Sequence, residues 1–480
     1  MRSSAAALLK MGAGMSAAAI AFAMLGERDA EACGGCFHPP EPPGEHTSVV
    51  TDHRMILSVS PQQTTLYDQI RYAGNPSSFA WVLPIAGQAT IGLSSDTLFT
   101  ALDQITGTTV VAPPMNCPGP PTFCNSRFGS GGADGTAGSA PQAAEDGGVT
   151  VTKHEVVGPY ETVQLHSTDP NALNDWLTSH GYVIPDDVKP IISAYVTEHF
   201  DFLALKLVPG AGVSAMRPVR VSTAGAAPIL PLRMVAAGTG AKVGVTLWVL
   251  ADGRYEPQNF PFFQIKDEDL LWDWNANQSN YTTLRAAQES ASGFHAWELE
   301  SSTTQSQANI RTFVTQQGQL GNGGPDAGQD YLPIQQPDGG GIAETSDQVR
   351  QDDFTTLFTG IGASDGQVRI TRIRTDLAHD ALAQDLALQA SADQSVLSNL
   401  RKVTKEANEP QCPVYDGQCN QVGTAPRSQV TQATKDSFSC STSPSMSAEN
   451  ARPLPGALFF ASVGGLIGIA LLGMRRRRER

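Results

Sequence analysis

The sequence is poor in charged residues, and above all in positive ones. Charged residues make up 16% of its 480 positions, and 32 Lys and Arg stand against 47 Asp and Glu, for a formal net charge of -15. A surface this acidic repels the phosphate backbone of nucleic acids, so we exclude nucleic-acid binding. The 46 Gly and 32 Pro favour turns, linkers and short strands over long helices.

The sequence also lacks the usual motifs of metal and cofactor sites. It has no His-Glu-x-x-His, no EF-hand loop and no two histidines four residues apart. Covalent haem attachment needs C-x-x-C-H, but in Cys33 to His38 the histidine position is occupied by Phe37. The prolines at 39–43 prevent the helix that a redox-active C-x-x-C requires. We therefore expect no cofactor and no resident metal.

Three weaker patterns also have simpler interpretations. Gly362–Gly366 matches G-x-S-x-G, but a nucleophile elbow needs a strand before the serine and a helix after it, and here a helical stretch precedes and a strand follows. The acidic run 267–269 is more typical of a solvated helix start than of a calcium site. A thiolate zinc site is permitted by spacing but disfavoured by export. Its ligands would be Cys33, Cys36, His38, Cys117 and Cys124.

The N-terminus has the parts of a signal peptide over residues 1–32. Arg2 and Lys10 supply positive charge, Met11–Leu25 is a short apolar core, and Ala30-Glu31-Ala32 is an A-x-A cleavage site. We therefore predict export and cleavage by signal peptidase. Cys33 becomes the first mature residue, although the residues before it do not match a lipobox; whether Cys33 is lipidated stays open.

The C-terminus has the parts of a membrane anchor. Residues 456–474 carry no charge and would form a helix about 28 Å long, close to the thickness of a bilayer core. The basic tail 475–480 follows at once. Because positive charge stays on the cytoplasmic side, we predict a single-pass protein with its N-terminus outside and its C-terminus inside.

A resemblance extends this interpretation of the C-terminus. Cys440, a Pro/Ser-rich spacer to Pro455, the apolar segment and the arginine cluster follow one another. In that order they resemble the tripartite sorting tail of myxobacterial surface proteins, the MYXO-CTERM type. The resemblance implies that the tail is a processing signal, that a sorting protease is a partner and that the protein reaches the cell surface. Whether the tail is cleaved stays open.

The seven cysteines form three close pairs and one singleton. In an exported protein such pairs indicate disulfides, and the Pro- and Gly-rich loops 117–124 and 412–419 favour local closure. Pairing of the first pair with the second is the alternative to a bond between its own two members. Cys440 is left for sorting or attachment. The disulfide candidates are Cys33, Cys36, Cys117, Cys124, Cys412 and Cys419.

Hydrophobic periodicity predicts an α+β fold: a strand-dominated ectodomain with a few packed helices, followed by one transmembrane helix. Low-complexity stretches separate three folded blocks. The predicted organisation is a signal peptide (1–32), an N-terminal β-rich block (33–128), a flexible linker (129–148), a central α+β block (149–317), a flexible loop (318–346), a C-terminal α+β block (347–404), a Ser/Thr/Gln/Pro-rich stalk (405–455), a transmembrane helix (456–474) and a basic cytoplasmic tail (475–480).

Within these blocks, individual elements follow from local signals. Period-2 alternation predicts strands, and caps and prolines mark helix starts. The predicted strands are 55–60 and 64–72, joined as a hairpin, then 79–85, 149–157, 200–208, 217–222, 230–237, 242–250, 367–375 and 385–390. The predicted helices are 96–105, capped by Ser95, one that starts at 167–170 and ends at Gly181, 187–197, and one at the start of the third block.

An ordered set of segments carries a second, broader resemblance. The set is the N-terminal A-C-G-G-C, Asp68-Gln69-Ile70-Arg71-Tyr72, Phe79-Ala80-Trp81-Val82-Leu83-Pro84, the helix pattern from Ala172 to Tyr182, Phe202-Leu203-Ala204-Leu205-Lys206-Leu207 and Arg372-Ile373-Arg374. Over about residues 32–400 it resembles the exported family catalogued as domain of unknown function 2330. The resemblance implies an exported, usually anchored protein with no assigned activity.

One aromatic group is a candidate ligand platform. Trp272, Trp274 and Tyr281 combine flat apolar faces with neighbouring Asp and Asn side chains, as a sugar- or peptide-binding surface would. The alternative is that they belong to the core.

With no catalytic motif in its required context, we expect an exported, membrane-anchored, non-enzymatic binding or envelope-structural protein. The alternative is an extracytoplasmic hydrolase whose site is assembled only in the fold.

Overall fold

The structure is a computed structural model that describes residues 36–37, 49–73, 80–121, 154–166, 188–208, 216–236, 239–320, 346–362 and 365–431. The predicted signal peptide, the segment 456–474, the helix starting at 167–170 and the cysteines Cys33, Cys124 and Cys440 lie outside these residues. Among the described residues, no helix is both long enough and apolar enough to span a bilayer.

The described part is strand-dominated with few helices, which confirms the α+β class. The helices are α1 (Asp96–Thr106), α2 (Lys189–Thr197), α3 (Leu232–Val235), α4 (Tyr281–Ala291), α5 (Gln307–Leu320) and α6 (Ser346–Leu357). The strands are β1 (Cys36–Phe37), β2 (Val49–Val59), β3 (Gln63–Ala73), β4 (Ala80–Ile85), β5 (Ala89–Leu93), β6 (Thr109–Val111), β7 (His154–Val157), β8 (Tyr160–Leu165), β9 (Asp201–Leu207), β10 (Val219–Ala224), β11 (Ile229–Leu230), β12 (Lys242–Ala251), β13 (Tyr255–Pro257), β14 (Phe262–Phe263), β15 (Leu271–Asp273), β16 (Gln278–Ser279), β17 (Trp297–Ser306), β18 (Gln367–Ala378), β19 (Leu386–Ala390), β20 (Leu400–Lys402), β21 (Lys405–Glu406), β22 (Gln411–Tyr415) and β23 (Gln421–Pro426).

An eight-stranded main sheet organises the molecule, in the order β14-β17-β18-β12-β2-β3-β10-β5. Its pairs are antiparallel except β12 with β2 and β14 with β17, which are parallel. The sheet takes strands from all three predicted blocks. The blocks are therefore not separate folding units, because each depends on the others for its backbone hydrogen bonds and for the surface it buries.

A five-stranded sheet, β1-β4-β9-β8-β7, covers one face of the main sheet. Side chains such as Trp81 and Leu205 from the small sheet pack with Val219, Val221 and Leu66 from the large one. The opposite face is covered by α1, α5 and α6 through a core that includes Trp248, Phe99 and Val314. Successive strand residues point to opposite faces, so both faces of the central strands are apolar.

A small second core lies at the side of the main sheet. It is built by β6, β15, β16, α4 and β20–β23, which we call the side module. Its apolar centre includes Ile265, Leu270, Trp272, Tyr281 and Val403. The pairs β6–β20, β15–β21 and β22–β23 hold its backbone together. The expected stalk at 405–455 is therefore wrong for its first part, because residues 405–429 are folded here.

One predicted strand also differs. Of the predicted strand 230–237, residues 230–235 form the end of β11 and then α3, rather than a single strand. Pro231 explains the change, since it has no backbone N–H for a sheet ladder and instead stands at the N-cap of the helix. The predicted hairpin of β2 and β3 is confirmed, with Val59 opposite Thr64.

Candidate functional site

The cysteines pair over a long distance in the chain. Cys117 is bonded to Cys412, 295 residues later, with their Cα atoms 5.4 Å apart. The expected local loops 117–124 and 412–419 are therefore wrong. In the hairpin β22–β23, Cys412 stands opposite Ala425 and its side chain is buried, while Cys419 lies in the turn and is also disulfide-bonded. A hairpin keeps these two cysteines apart although they are close in sequence.

The three aromatic residues do not form an open platform. Trp272 and Tyr281 are each only 8% exposed, and both belong to the core of the side module. The rings of Trp272 and Trp274 meet edge to face with their centroids 5.9 Å apart. A flat ligand finds no free ring face on Trp272 or Tyr281, so their position corresponds to the core alternative.

The hydroxyl of Tyr281 leads instead to a cluster of ionisable groups. It donates a 2.6 Å hydrogen bond to Oε1 of Glu298, a fully buried residue of β17. On α4, one turn after Tyr281, Arg285 contacts three carboxylates. Its Nε donates to Glu289 at 2.9 Å and lies 3.7 Å from Oε2 of Glu298, and its Nη2 donates to Asp376 at 3.0 Å. We call these five residues the Arg285 cluster.

Burial sets the protonation of this cluster. It raises the pKa of Glu298 to about 7, and the nearby charge of Glu300 acts in the same direction. Burial also raises the pKa of Glu289 and, with the charges of Glu298 and Glu300, that of Tyr281. Perturbed groups of this kind mark functional sites or structural ion-pair networks. Here Arg285 is shared by three carboxylates, so the cluster is internally satisfied except at Glu298.

A second ionisable pair lies between the two large sheets. Nδ1 of His53 is 3.3 Å from Oδ1 of Asp68, and both side chains are buried. A cavity of about 10 Å³ borders Asp68, and apolar side chains such as Met55, Trp81 and Met234 form most of its wall. That volume holds about one water molecule. The pair therefore has no room for a substrate, and no serine lines the cavity.

The remaining sequence motifs are the G-x-S-x-G pattern and the possible metal sites. Helix α6 precedes Gly362–Gly366 and β18 follows it, as predicted, and both glycines have positive φ, at +62° and +67°. The backbone N–H of Gly366 donates to Gly362, which closes a turn; Ser364 lies outside the described residues. In the described part of the chain, no three His, Cys, Asp or Glu side chains are grouped to hold a metal ion.

The sequence matches one protein family over more than half of its length. That family is described as uncharacterized protein conserved in bacteria (DUF2330), and the match covers residues 29–337. The chain belongs to this family. No curated protein and no solved structure is significantly similar to this DUF2330 protein.

The Arg285 cluster of the DUF2330 protein was missed by sequence reasoning. In the string Trp297-Glu298-Leu299-Glu300 the sequence suggests a role only for Trp297, as a further member of the aromatic group, although alternation of large apolar residues with glutamates is a strand pattern. The pattern implies that the glutamates face water. It does not reveal that α4 and β20 cover that side of β17.

Proposed function

We propose that this DUF2330 protein is an exported, membrane-anchored or surface-sorted protein that acts as a non-enzymatic binding or envelope-structural module. The observation that carries the proposal is the disulfide between Cys117 and the buried Cys412. Disulfides of this structural kind persist in oxidising compartments and are rare in the cytosol. The bond therefore supports a location outside the cytoplasmic membrane.

The two ends of the chain carry the signals that would direct the protein to the envelope. The segment 1–32 has the parts of a signal peptide, and 456–474 with the basic tail 475–480 has the parts of a stop-transfer anchor. The described fold ends at residue 431, so about 25 residues separate it from the anchor. Signal peptidase acts at one end, and a sorting protease near Cys440 would act at the other.

The ionisable sites support a role without catalysis. Arg285 is held by its three carboxylates, and the His53–Asp68 pair borders space for about one water. Neither arrangement offers a nucleophile and a base beside an accessible pocket, which a hydrolase needs.

The experiment is fractionation of cells that express the full chain, followed by mass mapping of the purified protein without reduction. We expect envelope localisation, an N-terminus at Cys33 and a peptide pair that joins Cys117 to Cys412. A mature protein that begins at Met1, or a free thiol at Cys412, would contradict the proposal. As a control, Cys117→Ser leaves Cys412 free to react with a maleimide in the denatured protein.

A further inference from the structure

The side module contacts the main sheet through polar groups rather than through apolar packing alone. Tyr281 and Arg285 of α4 both reach Glu298 on β17. From β20, Nη2 of Arg401 donates a 2.7 Å hydrogen bond to the backbone carbonyl of Glu300. All of these contacts fall on one short stretch of β17, so that stretch is the joint between the two parts.

Two residues of this joint, Glu298 and Arg401, have a buried side-chain atom without a hydrogen-bond partner among the described residues, and Glu298 is the carboxyl of the two. Its side chain is fully buried, and its Oε2 accepts no hydrogen bond among the described residues. The neighbouring Glu300 differs, since its carboxylate is bonded to Arg372. The charged and titratable groups that face Glu298 are Tyr281 and Arg285 from α4, Glu300 from its own strand, Arg374 as its register partner on β18, and Arg401 from β20.

The arginine nearest to Glu298 is Arg285, which donates its hydrogen bonds to other carboxylates. Nε of Arg285 donates to Glu289 and its Nη2 to Asp376, so it lies near Oε2 of Glu298 at 3.7 Å without donating to it. A buried carboxylate with one oxygen that accepts no hydrogen bond costs more than a buried neutral carboxyl, because the nearby charges of Arg285 and Arg401 compensate its desolvation only in part. The closed joint therefore fits the protonated form of Glu298.

We propose that Glu298 is a proton-operated latch: with its proton bound, the side module stays docked on the main sheet, and loss of the proton loosens it. The latch operates near neutral pH, since burial raises the pKa of Glu298 to about 7. The side module is also the last described part of the chain before residues 432–480. The pH around the protein would thus control how firmly its main sheet is held to the segment that leads to the C-terminus. The latch does not depend on the proposed location or anchoring.

The test is hydrogen exchange, followed by mass spectrometry, on the full chain at pH 6 and pH 8, corrected for the intrinsic exchange rate. We expect the opening equilibrium of α4 and β20 to rise by about tenfold in total from pH 6 to pH 8, because the closed joint binds one proton more than the open joint only below a pH of about 7. Above that pH Glu298 is ionised in both states, so the opening equilibrium should level off. The central strand β12 should keep its protection at both pH values. Unchanged protection of α4 from pH 6 to 8 would overturn the latch.

Two variants distinguish a pH-dependent effect of Glu298 from a general loss of stability. Glu298→Gln keeps the shape without the ionisation, so α4 should exchange equally at both pH values. Glu268→Gln is the matched control, because Glu268 lies three residues before β15 of the side module with its side chain 71% exposed, and it should exchange like the unmodified chain. A pH dependence that persists in Glu298→Gln would assign the effect to another group.

If Glu298→Gln does not fold, Tyr281→Phe gives an independent answer. The hydroxyl of Tyr281 donates to Glu298 and favours its ionised form. Its removal should shift the loosening of α4 to higher pH. A purely structural role for Tyr281 would weaken the protection of α4 equally at all pH values, and that result would contradict the proposal.

Discussion

The side-chain amide of Gln164 pairs with both backbone polar groups of Ala89. The N–H of Ala89 donates to Oε1 of Gln164 at 3.2 Å, and Nε2 of Gln164 donates to the carbonyl of Ala89 at 2.7 Å. Ala89 belongs to β5, the edge strand of the main sheet, and Gln164 to β8 of the small sheet. The amide therefore acts as a one-residue substitute for a further strand and protects the edge.

We expect Gln164→Ala to destabilise the protein by about 1–3 kcal/mol, since two hydrogen bonds worth about 0.5–1.5 kcal/mol each are lost. It should also increase concentration-dependent self-association, because the edge of β5 is freed. Urea denaturation and sedimentation measure the two effects. Gln418→Ala, at an exposed hairpin turn, is the control and should change neither. A stable, monodisperse Gln164→Ala would show that the edge needs no cover.

The bond between Cys117 and Cys412 closes a loop of almost 300 residues. Loss of this constraint gives the unfolded chain more entropy, so Cys117→Ser with Cys412→Ser should lower the free energy of unfolding by about 2–5 kcal/mol. Chemical denaturation measures the change. Cys440→Ser is the matched control and should leave the midpoint unchanged. Equal stability of the double variant and the unmodified chain would contradict a structural role for the bond.

Asp353 of α6 joins three elements inside the molecule. Its Oδ2 accepts hydrogen bonds from the backbone N–H and the hydroxyl of Ser95 at 2.9 and 3.0 Å, and Arg220 donates to Oδ1 at 3.3 Å. Burial nevertheless raises the pKa of Asp353 from 3.8 to about 7. The folded protein then binds a proton that the unfolded chain has lost, so the stability from this group falls as pH rises from about 4 to 7.

We therefore expect the free energy of unfolding, measured with urea, to fall between pH 5 and pH 7, by up to about 1.4 kcal/mol per pH unit for each such group. Asp353→Asn should be less stable at low pH, because hydrogen bonds are lost, and should show a shallower pH dependence. Asp352→Asn is the matched control, since Asp352 also pairs with Arg220 but its side chain is 40% exposed. An equal slope in Asp353→Asn and the unmodified chain would refute the assignment.

Trp272 should affect stability. Because it is buried in the side module, Trp272→Ala is expected to cost about 3–5 kcal/mol in that part of the molecule. Its Nε1 has no hydrogen-bond partner among the described residues, so Trp272→Phe should cost clearly less. Denaturation followed by near-ultraviolet circular dichroism compares the two. A role as a ligand platform would predict the opposite, a Trp272→Ala variant of unchanged stability.

Local signals in the sequence were sufficient for individual elements. Residues 96–105 were predicted as a helix, and α1 covers Asp96–Thr106 with Leu98 and Leu102 buried. Ser95 stands at the N-cap as expected, but its hydroxyl donates to Asp353 from the distant α6 instead of capping its own helix. The sequence predicts the position of Ser95 because an N-cap depends on neighbouring residues. The sequence does not predict the hydrogen-bond partner of Ser95, because that partner depends on how α6 packs.

The pairing of strands that are far apart in the chain could not be predicted from the sequence. Strand β12 lies parallel to β2, with Leu247 opposite Met55, although almost two hundred residues separate them. Nothing in the local periodicity of either strand specifies that neighbour, since both simply show buried apolar faces. The same holds for the Arg285 cluster, because Arg285 on α4 and Asp376 on β18 are far apart in the chain and meet only in the folded structure.

The bond between Cys117 and Cys412 also determines what a cut in the backbone can release. Any scission between these two residues leaves both fragments in one covalent molecule, and a cut before β18 leaves strands of the main sheet in each fragment. A protease acting there would produce a two-chain form that separates on a gel only after reduction. A cut on the C-terminal side of Cys419, which is also disulfide-bonded, can by contrast shed the terminal segment from the rest. The disulfide thus divides the chain into a region that tolerates nicking and a region where one nick is enough for detachment.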